Sequence, residues 1–149
     1  MPTLMSKSPD ETYAIGKSWG RVVESGWVIG LIGDLGVGKT QLVKGLAHGL
    51  GVSARVHSPT FGLVTEYGGG RLPLFHLDLY RLETSEQIIG AGLESFFYNP
   101  AGVAVIEWID RWGDLRAMET PRLGGLFRRV HIEQISEAER RIEYEDFVP

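Results

Sequence analysis

The sequence predicts an α/β domain in three layers, with a mixed, mostly parallel sheet and antiparallel margin strands. Two unbroken apolar runs, residues 27–32 and 103–106, each follow a glycine and read as strands buried on both faces. Helical spacing of apolar residues alternates with them along the chain. Near the end, residues 126–135 and 140–147 alternate apolar and polar side chains about a polar turn, as an antiparallel hairpin with one wet face does.

The elements follow in order. Ser8-Pro9-Asp10-Glu11 is a capping box with proline in the first helical position, so a helix is expected from there to about residue 24. After the strand at 27–32, Leu42, Val43, Leu46, Ala47 and Leu50 recur at helical spacing, which places a second helix over residues 39–50 with Gly51 as its stop. Residues 63–67 and 71–79 form a hairpin around Gly68-Gly69-Gly70. Thr84-Ser85-Glu86-Gln87 opens a short helix, residues 93–98 add a turn, and Asn99-Pro100 breaks it before the second buried strand.

Composition narrows the functional classes. The 149 residues are 43% hydrophobic and 23% charged, which fits one globular domain spanning 1–149. Nineteen acidic against fifteen basic residues give a formal charge of −4, against a chain that coats nucleic acid. The only adjacent basic pairs, Arg128-Arg129 and Arg140-Arg141, read as solvated strand faces. Without cysteine there is no disulfide or thiolate metal site, and no apolar run approaches the roughly 20 residues of a membrane span. A cytoplasmic protein without a membrane role is expected.

Between the first buried strand and the second helix stands Gly33-Asp34-Leu35-Gly36-Val37-Gly38-Lys39-Thr40, which satisfies G-x-x-x-x-G-K-[ST] at every fixed position. The glycines let successive backbone N–H groups turn inward on a phosphate, and the positive end of the helix reinforces them. Lys39 is expected to reach the β and γ phosphates, and the Thr40 hydroxyl a Mg²⁺ ion. A P-loop NTPase-like fold is therefore expected, with a nucleotide's phosphates and Mg²⁺ at this loop.

Such a cradle needs a carboxylate near the metal, commonly at the end of a neighbouring strand. Glu107 ends one apolar run and Asp78 ends the less pure run 74–77, and position alone does not divide their roles. Guanine selectivity through an N-K-x-D segment is excluded, because the sole asparagine is Asn99. The four histidines, His48, His57, His76 and His131, lack zinc-ligand spacing and are expected at the surface or hydrogen-bonded inside. His76 and Asp78 share one strand face. Thr12 is the candidate for the adenine side.

The P-loop, then Ser58-Pro59-Thr60-Phe61, then His76-Leu77-Asp78-Leu79-Tyr80-Arg81-Leu82 with Glu107-Trp108, together resemble the TsaE (YjeE) family, small ATPases needed for the threonylcarbamoyladenosine modification of tRNA in bacteria. The resemblance covers nearly the whole chain. It implies a mixed sheet, Mg-ATP as ligand, weak hydrolysis, and a complex with the TsaB and TsaD proteins through which tRNA is reached indirectly. It implies Lys39 and Thr40 on phosphates and magnesium, Glu107 on the metal, Asp78 as a catalytic carboxylate near the γ-phosphate, and residues 58–61 as a switch-like loop with Thr60 as its contact. Two positions depart from the family pattern: Ile109 follows the acid-Trp pair where proline is usual, and Gln41 stands where Ser or Thr is frequent. The alternative function is a small P-loop phosphotransferase acting on a metabolite, with Arg111, Arg116 and Arg122 available for a lid. A non-catalytic module whose ATP site orders a surface is a third.

Overall fold

The structure, a computed structural model, describes residues 2–33, 38–53, 55–56, 64–112 and 125–148. In chain order the elements are β1 (Thr3–Ser6), α1 (Pro9–Gly20), β2 (Val28–Ile32), α2 (Lys39–Leu50), β3 (Val64–Tyr67), β4 (Leu74–Asp78), α3 (Ser85–Gly90), β5 (Val103–Glu107), β6 (Phe127–Gln134) and β7 (Arg140–Phe147). The strands of the described residues form one sheet of order β1-β7-β6-β2-β5-β4-β3. Its centre, β6-β2-β5-β4, is parallel, and both margins are antiparallel. The mixed sheet with antiparallel margins is as the residue pattern predicts.

Alternation along β2 explains the layers. Ile29 and Leu31 point to a core shared with α1 and α2, through Trp19, Leu42, Val43, Leu46 and Leu50. Val28 points to the opposite core, which holds Ile88 of α3, Phe97, Ile109 and Trp112. Both cores are closed to water, so the central strands read as continuous apolar runs.

The helices α1 and α2 cross with their backbones in contact. A Cβ on Gly16 or Gly20 would run into the carbonyls of Leu42 and Leu46, and one on Gly45 or Gly49 into those of Tyr13 and Lys17. Two glycine pairs, each spaced by four residues, therefore set how close the helices come. This contact carries the start of α1 to the start of α2.

Several boundaries differ from expectation for physical reasons. Helix α1 ends at Gly20 rather than near residue 24, and Val23 turns inward as a fully buried plug. The Arg71 guanidinium takes the carbonyls of Gly20 and Val23 at 2.9 Å each, giving the ended helix its acceptors' partners. Strand β1 was not expected at all. Its four residues pair only with β7, so their conformation comes from a partner more than 130 residues away.

The reading of Arg128 as part of a solvated face is corrected. Arg128 is 8% exposed and makes a bidentate pair with Asp146 at 2.7 and 2.8 Å. Its guanidinium also lies 4.7 Å from the Trp19 ring and 4.4 Å from that of Tyr144. Delocalised charge and a planar fork let arginine occupy such an aromatic niche.

Candidate functional site

Helix α2 opens at Gly38, which adopts a left-handed φ of 103° and provides no side chain to cap the first turn. Neither does that turn carry an acidic residue. The first turn thus lies at the positive end of a 12-residue helix with no side-chain cap and no carboxylate of its own, an end that favours an anion. The helix begins at Lys39 and stops at Gly51 in the left-handed conformation, both as the sequence indicates.

A cavity of about 400 Å³ lies at this end of α2. Its floor is Gly38, Lys39, Thr40, Gln41 and Lys44. One wall is the end of the parallel sheet, with Asp78 of β4 and Glu107 of β5 followed by Trp108. The opposite wall is the start of α1, with Ser8, Pro9 and Thr12, together with Glu137, Ala138 and Arg140 from the turn between β6 and β7. A pocket at the carboxyl ends of parallel strands is the usual ligand position in an open α/β sheet.

Lys39 is 4% exposed. Its Nζ donates to the Gly33 carbonyl at 2.6 Å and sits 3.7 Å from the centre of the Trp108 ring. A buried ammonium requires such partners, because an unpaired one would be expelled or neutralised. Trp108 holds this place with a left-handed φ of 62°, a conformation that an indole-bearing residue adopts only where its surroundings impose it. Tyr80 packs on the same indole at 5.1 Å between ring centres, and the Arg111 guanidinium lies 5.3 Å from it.

The two carboxylates converge by register. Asp78 and Glu107 are direct partners across the parallel β4–β5 ladder and face the α2 side. Glu107 is buried, with Oε2 2.5 Å from His76 Nε2. Asp78 is half-buried, and Oδ1 accepts the Tyr80 backbone N–H at 3.0 Å. Burial pushes the Asp78 carboxyl above its usual range, and the neighbouring Glu107 adds to this. The Tyr80 hydrogen bond, His76 and Lys39 act in the opposite direction.

Of the residues selected from sequence, Gly38, Lys39, Thr40, Asp78 and Glu107 come together around this cavity. Gly33 meets Lys39 through its carbonyl. Asp34, Leu35, Gly36 and Val37 lie outside the described residues, as do Ser58, Pro59, Thr60 and Phe61 and the lid candidates Arg116 and Arg122. Thr12 reaches the cavity wall, 2% exposed, with its hydroxyl 2.7 Å from that of Ser6. Arg111, the third lid candidate, packs on the aromatic pair of Tyr80 and Trp108.

Sequence reasoning missed Lys44 and Arg140. Lys44 stands one helical turn after Thr40, a spacing that puts both on one face and could have revealed it. Arg140 had no such signal. Its Nη1 donates to the carbonyls of Ser136, Glu137 and Glu139 at 3.1 Å each, so it braces the turn that closes the cavity rather than lying on a solvated face.

Comparison with known proteins decides the family. Residues 6–142 match the family described as threonylcarbamoyl adenosine biosynthesis protein TsaE. The chain belongs to the TsaE family. A TsaE protein of Nostoc is 42% identical over 114 residues, covering 74% of this chain and 70% of the relative. That of Bacillus subtilis is 45% identical over 101 residues, or 68% of this chain and 62% of the relative. A crystal structure of Bacillus subtilis YdiB superposes with a TM-score of 0.75 at 31% identity, covering 99% of this chain and 86% of that one.

Within this TsaE-family site the departure at Ile109 has a structural account. Ile109 opens the 3₁₀ turn Ile109–Trp112 and is fully buried against Gly30 of β2, where a Cβ would come within 2.9 Å of the isoleucine side chain. Apolar packing thus fixes the corner that carries Trp108. No helix of the described residues is long and apolar enough to cross a membrane.

Proposed function

We propose that this chain binds Mg-ATP and hydrolyses it slowly, as a nucleotide-dependent switch in tRNA threonylcarbamoyladenosine biosynthesis, working in the cytoplasm on a complex with TsaB and TsaD. One observation carries the reading: the cavity at the start of α2 joins a buried lysine to two carboxylates at the ends of adjacent parallel strands.

The residues present fit both components. The positive end of α2 and the Lys39 ammonium suit the phosphates. Thr40 and Glu107 suit Mg²⁺, with Asp78 beside them. Magnesium takes one or two protein oxygens and completes its shell with phosphate oxygens and water. When bound, the ion would neutralise charge developing on the phosphoryl oxygens.

The chain's own groups define the rest of the mechanism. Lys39 fixes the phosphate tail, and Glu107 would hold the metal ion or one of its waters. Asp78, held by the Tyr80 amide, accepts a hydrogen bond from the attacking water. Thr12 and the β6–β7 turn enclose the base. Arg140, the arginine that lines the cavity among the described residues, is engaged with the carbonyls of its own turn, so the site turns over slowly by itself and the TsaB and TsaD complex is where the rate rises.

The test follows γ-labelled phosphate. Label released as inorganic phosphate, together with ATP-dependent capture of TsaB and TsaD, is the expected result. Label transferred to a metabolite identifies a phosphotransferase and contradicts the proposal.

A further inference from the structure

Beneath the cavity lies a polar contact that the proposed chemistry does not itself use. His76 is fully buried on β4, and its Nε2 lies 2.5 Å from Glu107 Oε2 on β5. In the register of the two strands His76 stands opposite Val105 and Asp78 opposite Glu107, so the Glu107 side chain runs back along the sheet to meet the imidazole. The other ring nitrogen, Nδ1, is buried and has no hydrogen-bond partner among the described residues.

That orphan nitrogen fixes the chemistry of the pair. A buried N–H without an acceptor is costly. The Nδ1–H tautomer would place such a donor at Nδ1. The other tautomer carries its proton on Nε2 and donates it to Glu107 Oε2, leaving a lone pair at Nδ1. The contact engages Oε2, and Oε1 is the oxygen this arrangement would offer to a cation or its water.

We propose that His76 is a positioning residue for metal binding: its Nε2–H holds Glu107 in the one arrangement that offers a carboxylate oxygen to the Mg²⁺ of a bound Mg-nucleotide. The proposal rests on the Mg-ATP reading of the cavity. Neighbours of this type orient the groups that meet the metal, and removing one typically costs 10- to 100-fold in metal affinity. Glutamine can place an amide N–H near the position of Nε2, whereas leucine cannot.

Two measurements test it. The first uses a fluorescent ATP analogue, titrated with Mg²⁺ and separately in EDTA, on the wild type, His76→Gln and His76→Leu. The Mg²⁺ concentration for half-maximal effect is expected to rise about 10- to 100-fold in His76→Leu and to stay within about threefold of wild type in His76→Gln. Metal-free nucleotide affinity is expected to be equal in all three. A leucine variant with wild-type Mg²⁺ dependence, or one that loses metal-free binding to the same degree, overturns the positioning role. Wild-type protein that binds no nucleotide brings down the Mg-ATP reading and this proposal with it.

The second measurement needs no variant to fold. Nitrogen-15 NMR of the wild-type histidines, with the His76 resonance assigned, is expected to show a proton on Nε2. A bare Nε2 overturns the proposal even if the leucine variant is unstable.

Discussion

At the residue scale, the site combines groups that would repel or desolvate one another without a ligand. Asp78 and Glu107 sit side by side, and burial raises the Asp78 carboxyl above its usual range. A carboxyl whose pKa is raised by folding favours the fold most when protonated, below its unfolded pKa, and loses that advantage as pH rises through the folded value. Asp78→Asn keeps an oxygen for the Tyr80 N–H and removes the charge. It is expected to raise the melting temperature at pH 7 by on the order of 2 °C, with the gain vanishing as pH falls towards 4, checked by calorimetry across pH. The same variant should lose ATP turnover. Arg128 is the contrasting case, since it lies outside the cavity. Arg128→Lys breaks the bidentate pair with Asp146 and should cost about 2 kcal/mol in urea unfolding, with nucleotide affinity unchanged.

At the element scale, the α1–α2 contact determines whether the cavity has a far wall. Gly45 allows α2 to touch the backbone of α1 at Tyr13, and a methyl group there would force the helices apart. Gly45→Ala is expected to destabilise the chain by about 1 to 3 kcal/mol in denaturant titration, the usual range for overpacking, despite alanine's better helix propensity. It should also weaken nucleotide binding, because Ser8, Pro9 and Thr12 ride on α1.

Most of the helices and the phosphate motif were legible in the sequence because their signals are local: capping boxes at Ser8 and Thr84 bond as their residues suggest, to Glu11 and Gln87. The His76–Glu107 bond, strand β1 and the Arg140 brace were not. The first two depend on strand register between distant segments, and the third on how a turn folds over a cavity. Arg128 was misread because spacing along a strand does not say which aromatic rings another layer brings to it.

At the scale of the whole molecule, the parallel centre of the sheet points β4 and β5 at one end of α2, and the antiparallel β6–β7 hairpin brings its turn to the same place. A ligand there touches α1, α2, the ends of β4 and β5 and the hairpin turn together. Binding should therefore stabilise the chain as a unit. At a hundredfold excess over its dissociation constant, Mg-ATP should add about 2.7 kcal/mol, or roughly 5 to 10 °C in melting temperature. Arg128→Lys should start lower and gain the same increment, checked by scanning calorimetry with and without nucleotide.

The central claim is that the start of α2 with Lys39 holds a triphosphate. Isothermal titration of Mg-ATP into wild type and Lys39→Ala tests it most directly. Saturable one-to-one binding by wild type, weakened about 10- to 100-fold by the loss of one charged hydrogen-bonding group, is the predicted result. Equal affinity in the two proteins, or no binding by either, would contradict it.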